Sequence, residues 1–279
     1  MSTLLAANPW LGMLAEALAL AALMVGLRAL QRRVALSAEA TRKLFHVGGG
    51  LTTLAFPWLF HSAWPVLALM PVTIGAFVAL KYLRCLRRGL GNVLYGVERR
   101  SLGEVYMPLS LTLVWVASGG DALLYCVPVL VLALADPAAA LIGARYGRRR
   151  YASVAGEKSL EGSLAFGGVA LCSVLVPLLA FAHGAAPHLV LVALDLSLLV
   201  MLVEAVGWRG LDNLFIPVVT FALWRVLLPL PTVGLLFRLA LTVTLAVVAF
   251  GWRHRATRRA GATRGGTLGT YLRVLLAGR

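Results

Sequence analysis

The sequence predicts an all-α, polytopic membrane bundle of about nine transmembrane helices, with the N-terminus outside and the C-terminus in the cytoplasm. Three observations carry this. Hydrophobic residues fill 60% of the 279 positions and mean hydropathy is +0.87, more apolar surface than a soluble domain of this length can hide. Apolar runs recur at the length of a membrane span. Finally, 26 Lys and Arg against 11 Asp and Glu leave a net charge of +15, and the bases fall on alternate loops. An acidic soluble enzyme and a disordered tail protein are both excluded.

A span needs roughly 20 mostly apolar residues, at about 1.5 Å per residue across about 30 Å of hydrocarbon. The runs lie approximately from Pro9 to Leu30, Leu44 to Phe60, Ala63 to Leu80, Gly103 to Ser118, Ala122 to Ala144, Leu160 to Ala182, Leu189 to Val206, Leu214 to Leu228 and Thr232 to Trp252. The second and fourth are short and fit a tilted or partly re-entrant course.

Orientation follows Lys and Arg in short loops. Apart from Arg225 and Arg238, every base lies between Arg28 and Lys43, Lys81 and Arg100, Arg145 and Lys158, at Arg209, or in the tail from Arg253 to Arg279. The opposite loops, around His61, Gly119, His183 and Pro231, have none. No basic segment precedes the first apolar run, which contains Glu16 and is followed by Arg32 and Arg33, so a retained span is expected rather than a signal peptide. Residues 1–252 thus form a single transmembrane domain. The tail, residues 253–279, is basic and reads as an anionic-lipid anchor rather than a nucleic-acid binder. Cys85, Cys126 and Cys172 are far apart and read as unpaired packing residues.

An ionisable group inside a span costs about 2.5 to 3.5 kcal/mol on insertion scales, so each is a functional candidate. Glu104, Asp136, Glu157, Glu161, Glu204 and Asp212 all fall on the predicted cytoplasmic side, with the bases. Acids that hold a divalent cation and bases that hold phosphates share one face, which suits a nucleotide-Mg complex meeting a lipid head group.

Arg42, Lys43 and His46 precede the Gly48-Gly49-Gly50 run, and offsets of three and four place them on one helix face. They can clasp a polyphosphate; composition alone favours a positive-inside anchor with a Glu39–Lys43 ion pair. Ser101 and Glu104 have capping-box spacing, with Glu104 equally a metal or proton-handling group. Asp136-Pro137 disfavours the α conformation at the aspartate, so a broken helix restarting at Pro137 is expected. Asp136 lies about nine residues, or about 14 Å, below the surface marked by Arg145, and needs a cation there. Gly143 and Gly147 share its face and leave it bare.

Lys158 and Ser159 at the start of the sixth span offer donors for phosphate, without Walker A spacing; Glu157, Glu161 and Ser163 are also ordinary helix-start residues. Glu204, at a negative helix end, needs a partner. Asp212-Asn213 has N-cap chemistry; with Asp136 and Glu204, Asp212 also completes a possible Mg carboxylate cluster. Arg225 and Arg238 are expected to pair internally with Asp195 or Glu16.

Taken together these motifs resemble the CTP-dependent lipid-alcohol kinases, a group that includes dolichol, phytol and farnesol kinases and fungal diacylglycerol kinase. The resemblance covers residues 38–220. Its Arg-Lys-x-x-His element is similar to Arg42, Lys43 and His46, and its Ser-x-Gly-Glu element to Ser101, Gly103 and Glu104 with Tyr106 and Pro108 after it. The Asp-x-x-Ala-x-x-x-Gly-x-x-x-Gly signature resembles Asp136, Ala139, Gly143 and Gly147. Lys158, Ser159, Glu161, Gly162 and Ser163 resemble the next element, and Glu204, Asp212, Asn213 and Pro217 the last. The compact chain looks closer to the phytol and diacylglycerol members than to long dolichol kinases. The Asp136 and Lys158-Ser159 elements also resemble phosphatidate cytidylyltransferase.

The resemblance implies transfer of the γ-phosphoryl group of CTP to the hydroxyl of a membrane lipid alcohol, a polyprenol, dolichol, phytol or diacylglycerol, at the cytoplasmic face. Under it, Asp136, Glu204 and Asp212 hold Mg²⁺. Arg42, Lys43, Lys158, Ser159, Gly162, Ser163 and Asn213 surround the nucleotide, which Gly143 and Gly147 let approach. The general base is one of His46, Glu104 and Glu161. Two rivals stand beside this expectation: the cytidylyltransferase, and a transporter or scramblase built on a broken fifth helix. Polar groups crowded on one side favour surface chemistry over a pathway. Oligomeric state is not legible.

Overall fold

The computed structural model describes residues 8–34, 36–96, 102–153, 156–207 and 210–252, so the basic-tail and Ser101 expectations lie outside the described residues. Helix α1 (Pro9–Arg33) is capped by the Asn8 side chain, which accepts the Trp10 N–H. Helix α2 (Ala38–Thr53) starts at Ser37, whose hydroxyl accepts the Ala40 N–H. The short α3 (Phe56–Leu59), α4 (Trp64–Tyr82) and the short α5 (Arg84–Arg88) and α6 (Asn92–Tyr95) follow. Then come α7 (Gly103–Ser118), α8 (Ala122–Leu130), a π-helical turn at Val131–Ala135 and α9 (Asp136–Tyr146). Strands β1 (Arg150–Ser153) and β2 (Gly156–Ser159) pair antiparallel, with Tyr151 opposite Lys158. Helices α10 (Leu160–Phe181), α11 (Ala186–Val206), α12 (Asp212–Leu227) and α13 (Thr232–Trp252) complete the bundle.

Each predicted apolar run coincides with helix. Six helices are long and apolar enough to cross a membrane: α1, α4, the continuous Ala122–Tyr146 rod, α10, α11 and α13. The other three runs form α2, α7 and α12, each of 16 residues, about 24 Å long against a hydrocarbon layer of about 30 Å. The protein is a multi-pass, all-α membrane protein. The outward Leu, Val, Phe and Trp side chains of α1, α4 and α13 suit a hydrocarbon solvent.

The rod Ala122–Tyr146 and α11 are the most enclosed spans, about half buried, and the core forms on them. Tyr125 stacks on Phe56 with ring centroids 5.8 Å apart and meets Trp115 edge-on at 5.2 Å, geometries that aromatic quadrupoles favour. Phe166, Leu196 and Trp224 enclose the same core.

The expected break at Asp136 does not occur. Asp136 is helical, with φ −62° and ψ −48°, and the rod runs on through Pro137. A π turn directly precedes Asp136-Pro137, and its wider register accommodates the proline within the continuous rod.

Candidate active site

The missing Pro137 N–H leaves carbonyls one turn back short of a donor. One is supplied from α2: His46 Nε2–H donates to the Leu132 carbonyl at 3.2 Å, a tautomer assigned from that acceptor. His46 Nε2 also lies 3.9 Å from Asp136 Oδ2. One turn earlier on the same face of α2, Lys43 Nζ donates to Asp136 Oδ2 at 2.8 Å. Lys43 and His46 are both buried. The cation that Asp136 required is therefore Lys43, and the expected Glu39–Lys43 pair is replaced: Glu39 pairs with Arg42 at 2.7 Å, three residues on, which leaves Lys43 facing the rod.

A second charged pair sits where β2 meets α11. Lys158 Nζ donates to Glu204 Oε1 at 2.6 Å and to the Glu204 carbonyl. This lysine answers the negative helix end that made Glu204 demand a partner. The Ser163 hydroxyl reaches Glu204 Oε2 at 3.4 Å and lies 2.6 Å from the buried Tyr151 hydroxyl. Gly207 follows with φ +41°, and a Cβ there would lie 2.7 Å from Lys158 Cε.

The glycine signature works as a packing seam. A Cβ on Gly143 would meet Ser159 Oγ at 3.0 Å, one on Gly147 the same atom at 2.6 Å, and one on Gly162 the Ala139 carbonyl at 2.9 Å. The bare faces of α9 and α10 thus let β2 lie directly on α9. The Ser159 hydroxyl accepts the Gly162 N–H at 3.1 Å and caps α10.

Two further expectations change. Glu161 is half-buried and accepts the backbone N–H groups of Arg148 at 3.1 Å and Arg149 at 3.2 Å, so it orders the chain entering β1. Asp212-Asn213 does not cap α12, whose N-cap position is Leu211. Asn213 Nδ2 instead donates to the Gly103 carbonyl at 3.0 Å, and Ser110 donates to the Asn213 carbonyl at 2.7 Å. Asn213 therefore ties α12 to α7. Arg238 faces Asp195 at 3.6 Å, as expected, while Arg225 lies over the Phe221 ring.

Lys43, His46, Asp136, Gly143, Lys158, Ser159, Gly162, Ser163 and Glu204 border one cavity of about 1520 Å³, which also takes in Arg42, Glu104, Arg150, Glu157, Asp212 and Asn213. That exceeds the roughly 300–1,000 Å³ of an ordinary ligand pocket and leaves space for two substrates at once. Among the described residues no three Asp, Glu, His or Cys side chains converge as a metal site, although Asp136 and Asp212 both act electrostatically on Glu204. Tyr151 was not legible in advance, because it follows three arginines of a basic loop, and neither was the Glu16–Thr52 hydrogen bond at 2.8 Å, which joins two separate runs.

Over 193 residues the chain is 33% identical to a phytol kinase from Synechocystis sp. (strain ATCC 27184 / PCC 6803 / Kazusa), covering 67% of this chain and 79% of that relative. The chain belongs to the lipid-alcohol kinase family. No family model and no solved structure matches it. As a lipid-alcohol kinase it is a membrane phosphotransferase with an alcohol acceptor, and the transporter expectation falls away. The large cavity bordered by both charged pairs is the candidate active site of this kinase.

Proposed function

We propose that this kinase transfers the γ-phosphoryl group of CTP to the hydroxyl of a phytol-type isoprenoid alcohol, at the cytoplasmic face of a nine-span bundle. The supporting observation is the convergence of Lys43–Asp136 and Lys158–Glu204 on one cavity. Phosphoryl transfer demands mainly positioning and charge neutralisation, and two lysines held by carboxylates supply fixed positive ends.

Magnesium is required in this proposal as the nucleotide's companion. Mg²⁺ is ordinarily held by one or two carboxylates plus substrate phosphates rather than by an all-protein cage. The donor set fits that mode: Asp136, Glu204 and Asp212 all border the cavity, and Asp136 and Asp212 both act electrostatically on Glu204. Bound there, the ion supplies charge neutralisation on the phosphates.

The chain's own groups do the rest. Lys43 and Lys158 meet phosphate oxygens, and Arg42, which borders the same cavity while paired with Glu39, adds a third cation. His46 fixes the π turn through Leu132 and so sets where Asp136 points. Of the three base candidates, Glu161 is occupied by backbone N–H groups and His46 Nε2 by a carbonyl. We assign the alcohol proton to Glu104, which borders the cavity within electrostatic reach of Arg42.

The test supplies purified protein in lipid with Mg²⁺ and CTP labelled at the α or the γ phosphorus, ATP in parallel, and phytol, a polyprenol, diacylglycerol or phosphatidate. Label from γ alone in phytol is the expected result. Incorporation of α label into phosphatidate, or equal use of ATP, overturns it.

A further inference from the structure

The cavity has a second half that phosphoryl chemistry does not need. From the charged pairs it continues as an apolar arm between α1, α2 and α4, lined by Leu20, Met24, Gly49, Leu69, Thr73 and Phe77. Along α4 the lining runs from Val66 to Leu80, about 21 Å of helix. Apart from Glu16, the ionisable side chains on the cavity wall belong to the other half.

Glu16 stands at the far end. It is buried and accepts a hydrogen bond from Thr52 at 2.8 Å; Thr52 is nine residues beyond Lys43, about 14 Å along α2. Trp10 packs on Trp64 at 5.2 Å, which holds the starts of α1 and α4 together beyond Glu16. The arm thus runs from the phosphoryl-transfer groups at one end to a buried, hydrogen-bonded carboxyl at the other.

Gly49 marks the junction. Its neighbours in the glycine run have packing reasons: a Cβ on Gly48 would meet Leu23 at 2.7 Å, and one on Gly50 would meet Ala133 Cβ at 2.6 Å. A Cβ on Gly49 would find only ordinary contacts, Leu20 at 3.7 Å and Phe45 at 4.0 Å. Bundle packing does not demand glycine there. What glycine does provide is a clear passage along the cavity wall between His46 and the arm.

Resting on the kinase reading above, we propose that the arm is the binding site for the alcohol's hydrocarbon tail, with Gly49 its neck and the Glu16–Thr52 pair its end. A tail turned into it has about 14 to 21 Å to fill. At about 1.2 Å per bond, by the same geometry as an extended backbone, that is a single chain of roughly 12 to 18 main-chain carbons. Carbons beyond the Glu16 end gain no further contact.

The experiment compares kcat/KM for isoprenoid alcohols of two, three and four isoprene units in wild type and in variants obstructed at different depths. Leu69→Trp, deep in the arm, is expected to lower the value for the four-unit alcohol at least about tenfold while changing the two-unit alcohol less than about twofold, the discrimination expected from steric mismatch in an apolar pocket. Gly49→Leu, at the neck, lowers all three, with nucleotide binding unchanged. Should Leu69→Trp fail to accumulate, Thr73→Phe, half-buried on the same helix, replaces it. Equal loss of short and long alcohols on deep obstruction, or no effect at Gly49, overturns the tail site. Wild type that phosphorylates none of the alcohols from any nucleotide overturns the kinase reading itself.

Discussion

Lys43 Nζ lies 2.8 Å from Asp136 Oδ2, a bond that joins α2 to the first turn of α9 across 93 residues of sequence. Both side chains are mostly enclosed, 9% and 18% exposed, so each charge depends on the other. Asp136→Asn keeps the size and one acceptor oxygen while removing the charge that faces Lys43. Turnover is expected to fall by at least about 10²-fold, the scale on which one preorganised electrostatic group acts. Lys43→Met leaves Asp136 uncompensated and should cost about 3 kcal/mol of stability, the lower end for breaking a buried pair. A double-mutant cycle on thermal stability in one detergent checks the coupling. Additive losses would show that the two charges act independently.

Lys158 is steered by its surroundings. Glu204 holds its ammonium, and Gly207, at φ +41°, leaves space beside it. Gly207→Ala adds strain and pushes a methyl against the lysine chain, so the nucleotide KM should rise several-fold with the lipid KM unchanged. Lys158→Met should do the same without the backbone strain. Initial rates with each substrate varied separately settle this; equal effects on both KM values would detach Lys158 from the nucleotide.

The apolar runs were legible because hydrocarbon length and helical rise leave little freedom, although the run from Leu44 to Phe60 is divided between α2, which ends at Thr53, and the short α3. The pairing of charges was not. Glu39 lies within one turn of both Arg42 and Lys43, and only the position of α9 decides which base remains for Asp136. Likewise Asp136-Pro137 carries the local signature of a break, and the π turn that preserves the rod depends on a carbonyl satisfied by His46, 86 residues away. The glycines were legible as bare surface, but what lies against Gly143 and Gly147 became visible only when Ser159 was placed. Asn213 has the local chemistry of a cap, yet its amide is claimed by Gly103.

The Ser159 seam makes a prediction of its own. Gly143→Ala brings a methyl to 3.0 Å from Ser159 Oγ, tighter than van der Waals contact allows, and should destabilise by about 1–3 kcal/mol through overpacking. Ser159→Ala alone should cost about 1 kcal/mol, the worth of an N-cap. Together they should cost less than the sum, because the second change removes the atom the first would strike. Thermal unfolding of the two single variants and the double variant in the same lipid supplies the comparison, and strict additivity would place the Gly143 constraint elsewhere.

Glu104 is the group on which the chemical step turns if it takes the alcohol proton. Glu104→Gln keeps its shape and hydrogen-bonding reach but cannot accept that proton, so kcat should fall by about 10²-fold or more, the range for positioned acid–base groups, with both KM values little changed. Glu161→Gln is the informative contrast. Its carboxylate accepts the Arg148 and Arg149 N–H groups, and an amide oxygen still accepts hydrogen bonds. Activity should therefore stay within a few-fold of wild type, with any loss appearing as lower stability. A Glu104→Gln enzyme at full kcat, or a Glu161→Gln enzyme that folds but does not turn over, would exchange the two assignments. The comparison needs only initial rates at saturating nucleotide and alcohol, because a base acts after both substrates are bound.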